Sequence, residues 1–218
     1  MRLFYGTGNL SKLRNMRAIL AGLPIELITH AELGITLPPV AETGITPLEN
    51  AELKAQAYYK ATGLPSFALD SGLYLEGLPS SQQPGPYVRR VAGKELSDEE
   101  FIAYYQQLAR QNGGKIKARF INGLCVVLDD AHKKEAFGTQ VSTDWFWIVE
   151  KPHEIRLKGF PMDSIAVDSE TGRYWVENDL KDESSAKGSV LTVGIRRFFS
   201  ELLQNDLHSE IEDINYET

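Results

Sequence analysis

Residues Phe67 to Arg90 read FALDSGLYLEGLPSSQQPGPYVRR, and the rest of the chain is organised around this stretch. Phe67-Ala68-Leu69 has the character of an apolar strand. Asp70-Ser71-Gly72 reads as a sharp polar break, after which Leu73-Tyr74-Leu75 resumes the apolar run. A polar loop with Pro79, Pro84, Gly85 and Pro86 then leads to Arg89 and Arg90. A carboxylate at the end of a buried strand, next to a glycine that admits close backbone approach, suits a metal ligand or a general base. It equally suits the turn aspartate of a hairpin corner. These residues alone leave both readings open.

Upstream, residues 2–6 read as a strand followed by Thr7-Gly8-Asn9-Leu10-Ser11-Lys12 and a helix with Leu13, Met16, Ile19 and Leu20 on one stripe, ending at Gly22 and Pro24. Strand, glycine-bearing loop and helix is an arrangement that points backbone N–H groups at an anion. The Walker spacing is absent, and a plain strand-to-helix turn fits as well. Residues 25–28 read as a second strand. Thr46, Pro47 and Glu49 mark the start of a helix as N-cap, N1 and N3 of a capping box, and the helix runs to about Thr62 before Gly63. Asn50 and Lys54 share a face of it, and spacing alone makes Lys54 no more than a surface lysine.

Downstream, Ser97 and Glu100 form a second capping box for a helix to Gln111 with Phe101, Tyr104, Tyr105 and Leu108 as its apolar face. Strands are expected at 116–128, 135–140, 145–149 and 165–167, with a loop at Lys158-Gly159-Phe160-Pro161-Met162-Asp163-Ser164. The run Glu177 to Gly188 is polar. A last helix covers about Ser189 to Gln204, and residues 205–218 form an acidic C-terminal tail with five acids and no lysine or arginine.

The chain of 218 residues carries a net charge of −7, a poor basis for gripping long DNA or RNA by its phosphates. Local lysines can still hold a small phosphorylated ligand. A hydrophobic share of 42% with 24% charged residues marks a folded chain. With one cysteine no disulfide forms within the chain, which fits a cytoplasmic location, and Cys125 lies in an apolar run and reads as a core residue. No signal peptide and no run near the ~20 residues of a membrane span are visible.

Taken together and in order, these motifs resemble the inosine triphosphate pyrophosphatase family. Thr7, Asn9 and Lys12 match its T-x-N-x-x-K, Glu42 to Thr46 its E-x-G-x-T, and Glu49 to Ala55 its E-N-A-x-x-K-A. Ala68-Leu69-Asp70-Ser71-Gly72-Leu73 resembles A-D-D-S-G-L with the second aspartate kept and leucine in place of the first. Pro84 to Arg90 resembles P-G-x-Y-S-A-R with the final arginine kept, and Lys115 to Phe120 resembles the strand R-x-A-x-F. Gly159 to Ser164 looks like G-F-G-Y-D-P with Met162 at the second aromatic. Asp179 to Gly188 looks like the E-K…S-H-R-G segment with Lys181 and Ser185 kept, Ala186 at the histidine and Lys187 at the arginine.

The resemblance implies an α/β fold in which a long mixed central sheet is flanked by helices, two lobes surround a substrate cleft, and one domain covers residues 1–204. It implies hydrolysis of non-standard purine nucleoside triphosphates to monophosphate and pyrophosphate with Mg²⁺, in a homodimer. Carried over residue by residue, Glu42 and Asp70 would face the metal. Asp70, Lys12 and Lys54 would be catalytic, and Thr7, Asn9, Ser71, Arg90, Phe160, Asp163, Lys181, Ser185 and Lys187 would touch substrate. A nucleotide-binding protein of this fold without efficient catalysis, and a pyrophosphatase for other modified nucleotides, are the alternatives.

Overall fold

The computed structural model of the chain describes residues 1–91, 93–180 and 189–216, with residues 11, 178–180 and 205–216 described by backbone alone. Among the described residues seven strands form a mixed sheet in the order β2 (Glu26–Ile28), β1 (Arg2–Tyr5), β3 (Ser66–Leu75), β6 (Lys115–Val127), β8 (Phe146–Val149) and β9 (Ala166–Asp168), with β7 (Lys133–Gly138) paired to β6. The chain divides into two compact units, and the two long strands β3 (Ser66–Leu75) and β6 (Lys115–Val127) run through both.

The first unit comprises Met1–Asp70, Asn122–Val141 and Ala186–Thr218. Here β1 (Arg2–Tyr5) pairs in parallel with β2 (Glu26–Ile28) on one side and with β3 on the other. The second half of β6 pairs antiparallel with β7 (Lys133–Gly138). Alternation along each strand sends side chains to two separate cores. Leu3, Tyr5, Phe67, Leu124 and Val126 pack with Met16, Ile19 and Leu20 of α1 (Leu10–Leu20) and Ile195, Phe199 and Leu202 of α6 (Val190–Tyr216). Phe4, Ala68, Cys125 and Val127 pack on the other face with Ala51, Ala55 and Tyr58 of α3 (Pro47–Thr62). A Cβ at Gly123 would meet the Leu48 backbone at 2.3 Å, so this glycine lets α3 lie directly on β6. Burial among these groups pushes the Cys125 thiol up to about 12, as fits a core residue. The short helix α2 (His30–Leu33) is held by a capping box between Thr29 and Glu32.

The second unit comprises Ser71–Ile121 and Ser142–Ser185. The first half of β6 pairs antiparallel with β8 (Phe146–Val149), which pairs with β9 (Ala166–Asp168). The helix α4 (Asp98–Gln111) starts with the expected Ser97–Glu100 capping box, and three acids in its first turn suit the N-terminal end of the helix dipole. Strands β4 (Arg90–Val91) and β5 (Lys94–Glu95) form a small hairpin, and α5 (Trp175–Leu180) follows a turn organised by the Asp168 carboxylate. No helix among the described residues is long and apolar enough to cross a membrane.

Several expectations change. Asp70-Ser71-Gly72 is not a break: β3 passes through it as one ten-residue strand, because Gly72 and its neighbours keep extended backbone and no corner forms. The buried face of α4 is Phe101, Ile102, Tyr105 and Ala109, whereas Tyr104 is 36% exposed. Glu49 does not complete the box on Thr46; its carboxylate accepts from the Ile45 N–H at 2.7 Å instead. The polar run from Glu177 opens inside α5, and the last helix continues without a break through Gln204 to Tyr216.

Candidate active site

The first unit gathers four charged side chains from four separate chain segments. Asp70 follows directly from strand pairing. Because Tyr5, the last residue of β1, lies opposite Phe67, β3 extends beyond β1 and carries Asp70 past its end. Ligands in α/β sheets commonly sit at such carboxyl ends. Alternation then turns Asp70 to the α3 side, where Ala68 packs, while Phe67 and Leu69 face α1 and α6.

Lys54, two turns into α3, places its Nζ 2.7 Å from Asp70 Oδ1 and 3.0 Å from Glu42 Oε1. One ammonium group thus holds two carboxylates from distant segments. Its own burial alone would lower the Lys54 pKa, but the hydrogen bonds and charges of Asp70 and Glu42 outweigh it and raise the value above an ordinary lysine. Lys12 experiences the reverse balance. Surrounding protein atoms lower its pKa first, and the like charge of Lys54 adds to that, against weaker support from Asp70 and Glu42. The side chain nevertheless reaches solvent. A lysine in that position gains from a further anion.

Asn50, one turn before Lys54, is 1% exposed and serves as the joint of the site. Its Oδ1 accepts from the Gly44 N–H at 2.8 Å and its Nδ2 donates to Asp70 Oδ2 at 3.3 Å. A Cβ at Gly44 would lie 2.7 Å from that Oδ1, so only glycine lets the Glu42 segment approach α3 this closely. Asn50 was not among the residues assigned from the sequence. Its i, i+4 relation to Lys54 was the available signal.

Ahead of α1, the Asn9 carboxamide oxygen accepts from the Lys12 backbone N–H at 3.1 Å and so caps the helix, and the Thr7 hydroxyl accepts from the Asn9 N–H at 3.2 Å. The loop that holds Thr7 and Asn9 is therefore pre-formed. A Cβ at Gly6 would sit 2.2 Å from the Tyr58 ring, which fixes where this loop leaves β1.

The other assigned residues belong to the second unit or lie outside the described residues. Ser71 follows Asp70 in β3. Arg90 is exposed in the β4–β5 hairpin with its guanidinium 5.9 Å from the Tyr87 ring centre. Phe160, 37% exposed, precedes a 3-10 turn over Pro161–Ser164 that contains Asp163. Met162 of that turn is in the second unit's core, so it offers no stacking surface to a ligand. Lys181, Ser185 and Lys187, like Ala186, lie outside the described residues.

The carboxylates of Glu42 and Asp70 are of the oxygen-donor kind that suits a divalent cation. Both are oxygen ligands converging on one point, now bridged by Lys54, and Mg²⁺ is held by one or two carboxylates with phosphate oxygens and water completing its shell. Among the described residues no group of three or more His, Cys, Asp or Glu side chains converges, so a closed all-protein metal cage is not what this site offers. The residues fit a metal that arrives with a phosphate ligand.

Fold and site together define an α/β protein with a mixed-charge constellation, two lysines and two carboxylates, at the end of a parallel strand. The chain belongs to the Ham1 family, whose model matches residues 3–178. A dITP/XTP pyrophosphatase of Thermus thermophilus is 33% identical over 193 residues, covering 88% of each chain. One from Halorhodospira halophila is 32% identical over 206 residues, covering 93% of this chain and 99% of its own. Among solved structures, a HAM1 protein from Coxiella burnetii is 25% identical with a TM-score of 0.72, covering 94% of this chain and 99% of its own. The Ham1 protein of Staphylococcus aureus matches at 25% identity and a TM-score of 0.64, over 96% of this chain and 100% of its own.

Proposed function

We propose that the chain hydrolyses non-standard purine nucleoside triphosphates, of the dITP, ITP and XTP kind, between the α and β phosphates, releasing monophosphate and pyrophosphate. The observation that carries this reading is the Lys54 bridge between Glu42 and Asp70, within reach of the Lys12 charge. A triphosphate relieves that arrangement. Its negative charge would add to the support that Asp70 and Glu42 give Lys12, and Glu42 and Asp70 would hold a cation that neutralises its phosphates. The names of the curated relatives point the same way.

In this reading Lys12 and Lys54 neutralise the charge that builds on the phosphates, and Thr7 and Asn9 orient them. Asn50 fixes the rotation of the Asp70 carboxylate, which orients the attacking water and accepts its proton. A divalent cation, Mg²⁺ on our reading, supplies charge neutralisation on the phosphate oxygens when bound. Leu69 stands where the family resemblance has a first aspartate. Its side chain faces α1 and α6, away from Lys54 and Asn50, so the replacement leaves the Asp70 surroundings intact. Phe160 offers a ring face for the base and Asp163 a hydrogen-bond acceptor. Lys187 brings a point charge in place of a planar guanidinium, so discrimination among bases falls more than affinity.

A nucleotide panel with Mg²⁺, scored for pyrophosphate, tests the proposal. Turnover of ITP and XTP, reduced by about 10²–10³-fold in Asp70→Asn, is expected. Tight triphosphate binding with no pyrophosphate release from any nucleotide would instead make the chain a nucleotide-binding protein without catalysis. We further take the active particle to be a homodimer of 24.4 kDa chains in the cytoplasm, for which light scattering is the direct measurement.

A further inference from the structure

Phe160 is a large, partly exposed ring on an irregular segment of the second unit, yet the chain on both sides of it is fixed. On its C-terminal side Met162 and Ile165 are buried in the core, Ser164 is 1% exposed, and the Ser164 carbonyl accepts from the His153 N–H at 2.7 Å. On its N-terminal side the structure shows a closed ring of three residues. The Gly159 N–H donates to Asp98 Oδ2 at 2.7 Å. The Arg89 guanidinium donates to Asp98 Oδ1 at 2.9 Å through one nitrogen and to the Gly159 carbonyl at 3.1 Å through the other. Both backbone groups of Gly159 are therefore gripped, at a φ of +84° that few side chains tolerate.

The two gripping side chains are themselves anchored. Asp98 is the first residue of α4, directly after its N-cap Ser97. The Arg89 carbonyl accepts from the Leu96 N–H at 2.8 Å, and its guanidinium lies over the buried Phe101 ring at 5.6 Å. A planar fork is needed here, because one group must reach a carboxylate and a carbonyl at once. The clasp fixes the backbone of the residue directly before Phe160 and so limits where that ring can point.

We propose that Arg89 and Asp98 are positioning residues that set the Phe160 ring for the base of the bound nucleotide, and so act on base recognition without touching the phosphates. This rests on the reading of Phe160 as the base-stacking residue. It assigns the neighbouring arginine, rather than Arg90, to the work of the loop.

The test is steady-state kinetics of Arg89→Met, Asp98→Asn, Phe160→Ala and the Arg89→Met/Phe160→Ala double variant on ITP, with inorganic tripolyphosphate as a competitive inhibitor that has no base. Arg89→Met removes two of the clasp's three hydrogen bonds, enough for a rise in KM of about tenfold. The expected result is that rise for ITP in Arg89→Met, with kcat and the tripolyphosphate inhibition constant within about twofold of the parent. Arg89→Lys, which keeps the charge but reaches one acceptor, should fall between. The double variant should be no worse than Phe160→Ala, since Arg89 acts through that ring. Equal losses for ITP and tripolyphosphate in Arg89→Met, or additive losses in the double variant, would overturn the inference. So would a parent-like KM in Arg89→Met when Phe160→Ala raises it. A parent-like KM in Phe160→Ala itself removes the base-stacking reading, and the inference with it. A melting curve of each variant separates these outcomes from unfolding.

Discussion

Asn50→Asp is the perturbation that most directly questions the site. The exchange is nearly isosteric. It keeps the oxygen that accepts from the Gly44 N–H and replaces the Nδ2 that faces Asp70 with a second carboxylate oxygen. Two ionised carboxylates at the observed 3.3 Å would repel by about 5 kcal/mol at an effective dielectric of ~20. Lys54, 2.7 Å from the other Asp70 oxygen, offsets part of it. The like charge favours retention of one proton by the pair. The sign is fixed: the pair retains a proton to higher pH, and Asp70 must be ionised to work. The acid limb of kcat/KM for ITP should therefore move toward neutrality, with activity recovering as pH rises. Stability carries the same signature. A carboxyl group with a raised folded-state pKa costs nothing below its unfolded value and increasingly more as pH climbs toward the folded one. The melting-temperature gap between Asn50→Asp and the parent should open as pH rises above about 4 and level off once the pair is fully ionised. An unchanged acid limb together with an unchanged melting curve would show that the Asn50–Asp70 bond contributes nothing to the site.

Three further outcomes follow from the geometry. The lowered pKa of Lys12 means that its charge is lost at lower pH than an ordinary lysine's, so KM for the triphosphate should rise on the alkaline side first through Lys12, and Lys12→Arg should move that rise to higher pH. Asp98 has a carboxyl held below its usual range by the Gly159 N–H, with Arg89 and Lys158 adding to it. The stability it contributes is present above about 3.8 and lost as pH falls through the folded value, so an Asp98→Asn gap of about 1 kcal/mol in urea melts should persist at neutral pH and close below pH 4. Leu69→Asp, which restores the family's first aspartate, places a carboxylate among apolar neighbours on the α1 and α6 side; it should destabilise by about 2 kcal/mol without raising kcat, as melting and turnover would register.

The sequence by itself determined the helix boundaries marked by local chemistry. The Thr46 cap of α3, the Ser97–Glu100 box of α4 and the left-handed Gly63 follow from hydrogen bonds within a few residues, whereas the Glu49 carboxylate left its expected box for the Ile45 N–H. The order of motifs also determined the family, because Lys12, Glu42, Lys54 and Asp70 stand at their expected places along the chain. Tertiary structure decided what local pattern cannot express. Whether Asp70-Ser71-Gly72 turns or continues depends on neighbouring strands that supply its hydrogen bonds, and these come from elsewhere in the chain. That Leu69 and Asp70 face opposite ways acquires meaning only once α3 covers one face and α1 and α6 the other. Asn50 looked like one more polar residue on a helix. Packing buried it, gave it Gly44 on one side and Asp70 on the other, and made it the residue that ties the Glu42 segment to the strand. Arg89 and Arg90 are alike in sequence, and only their partners, a carboxylate and a carbonyl for one and a tyrosine ring for the other, tell them apart.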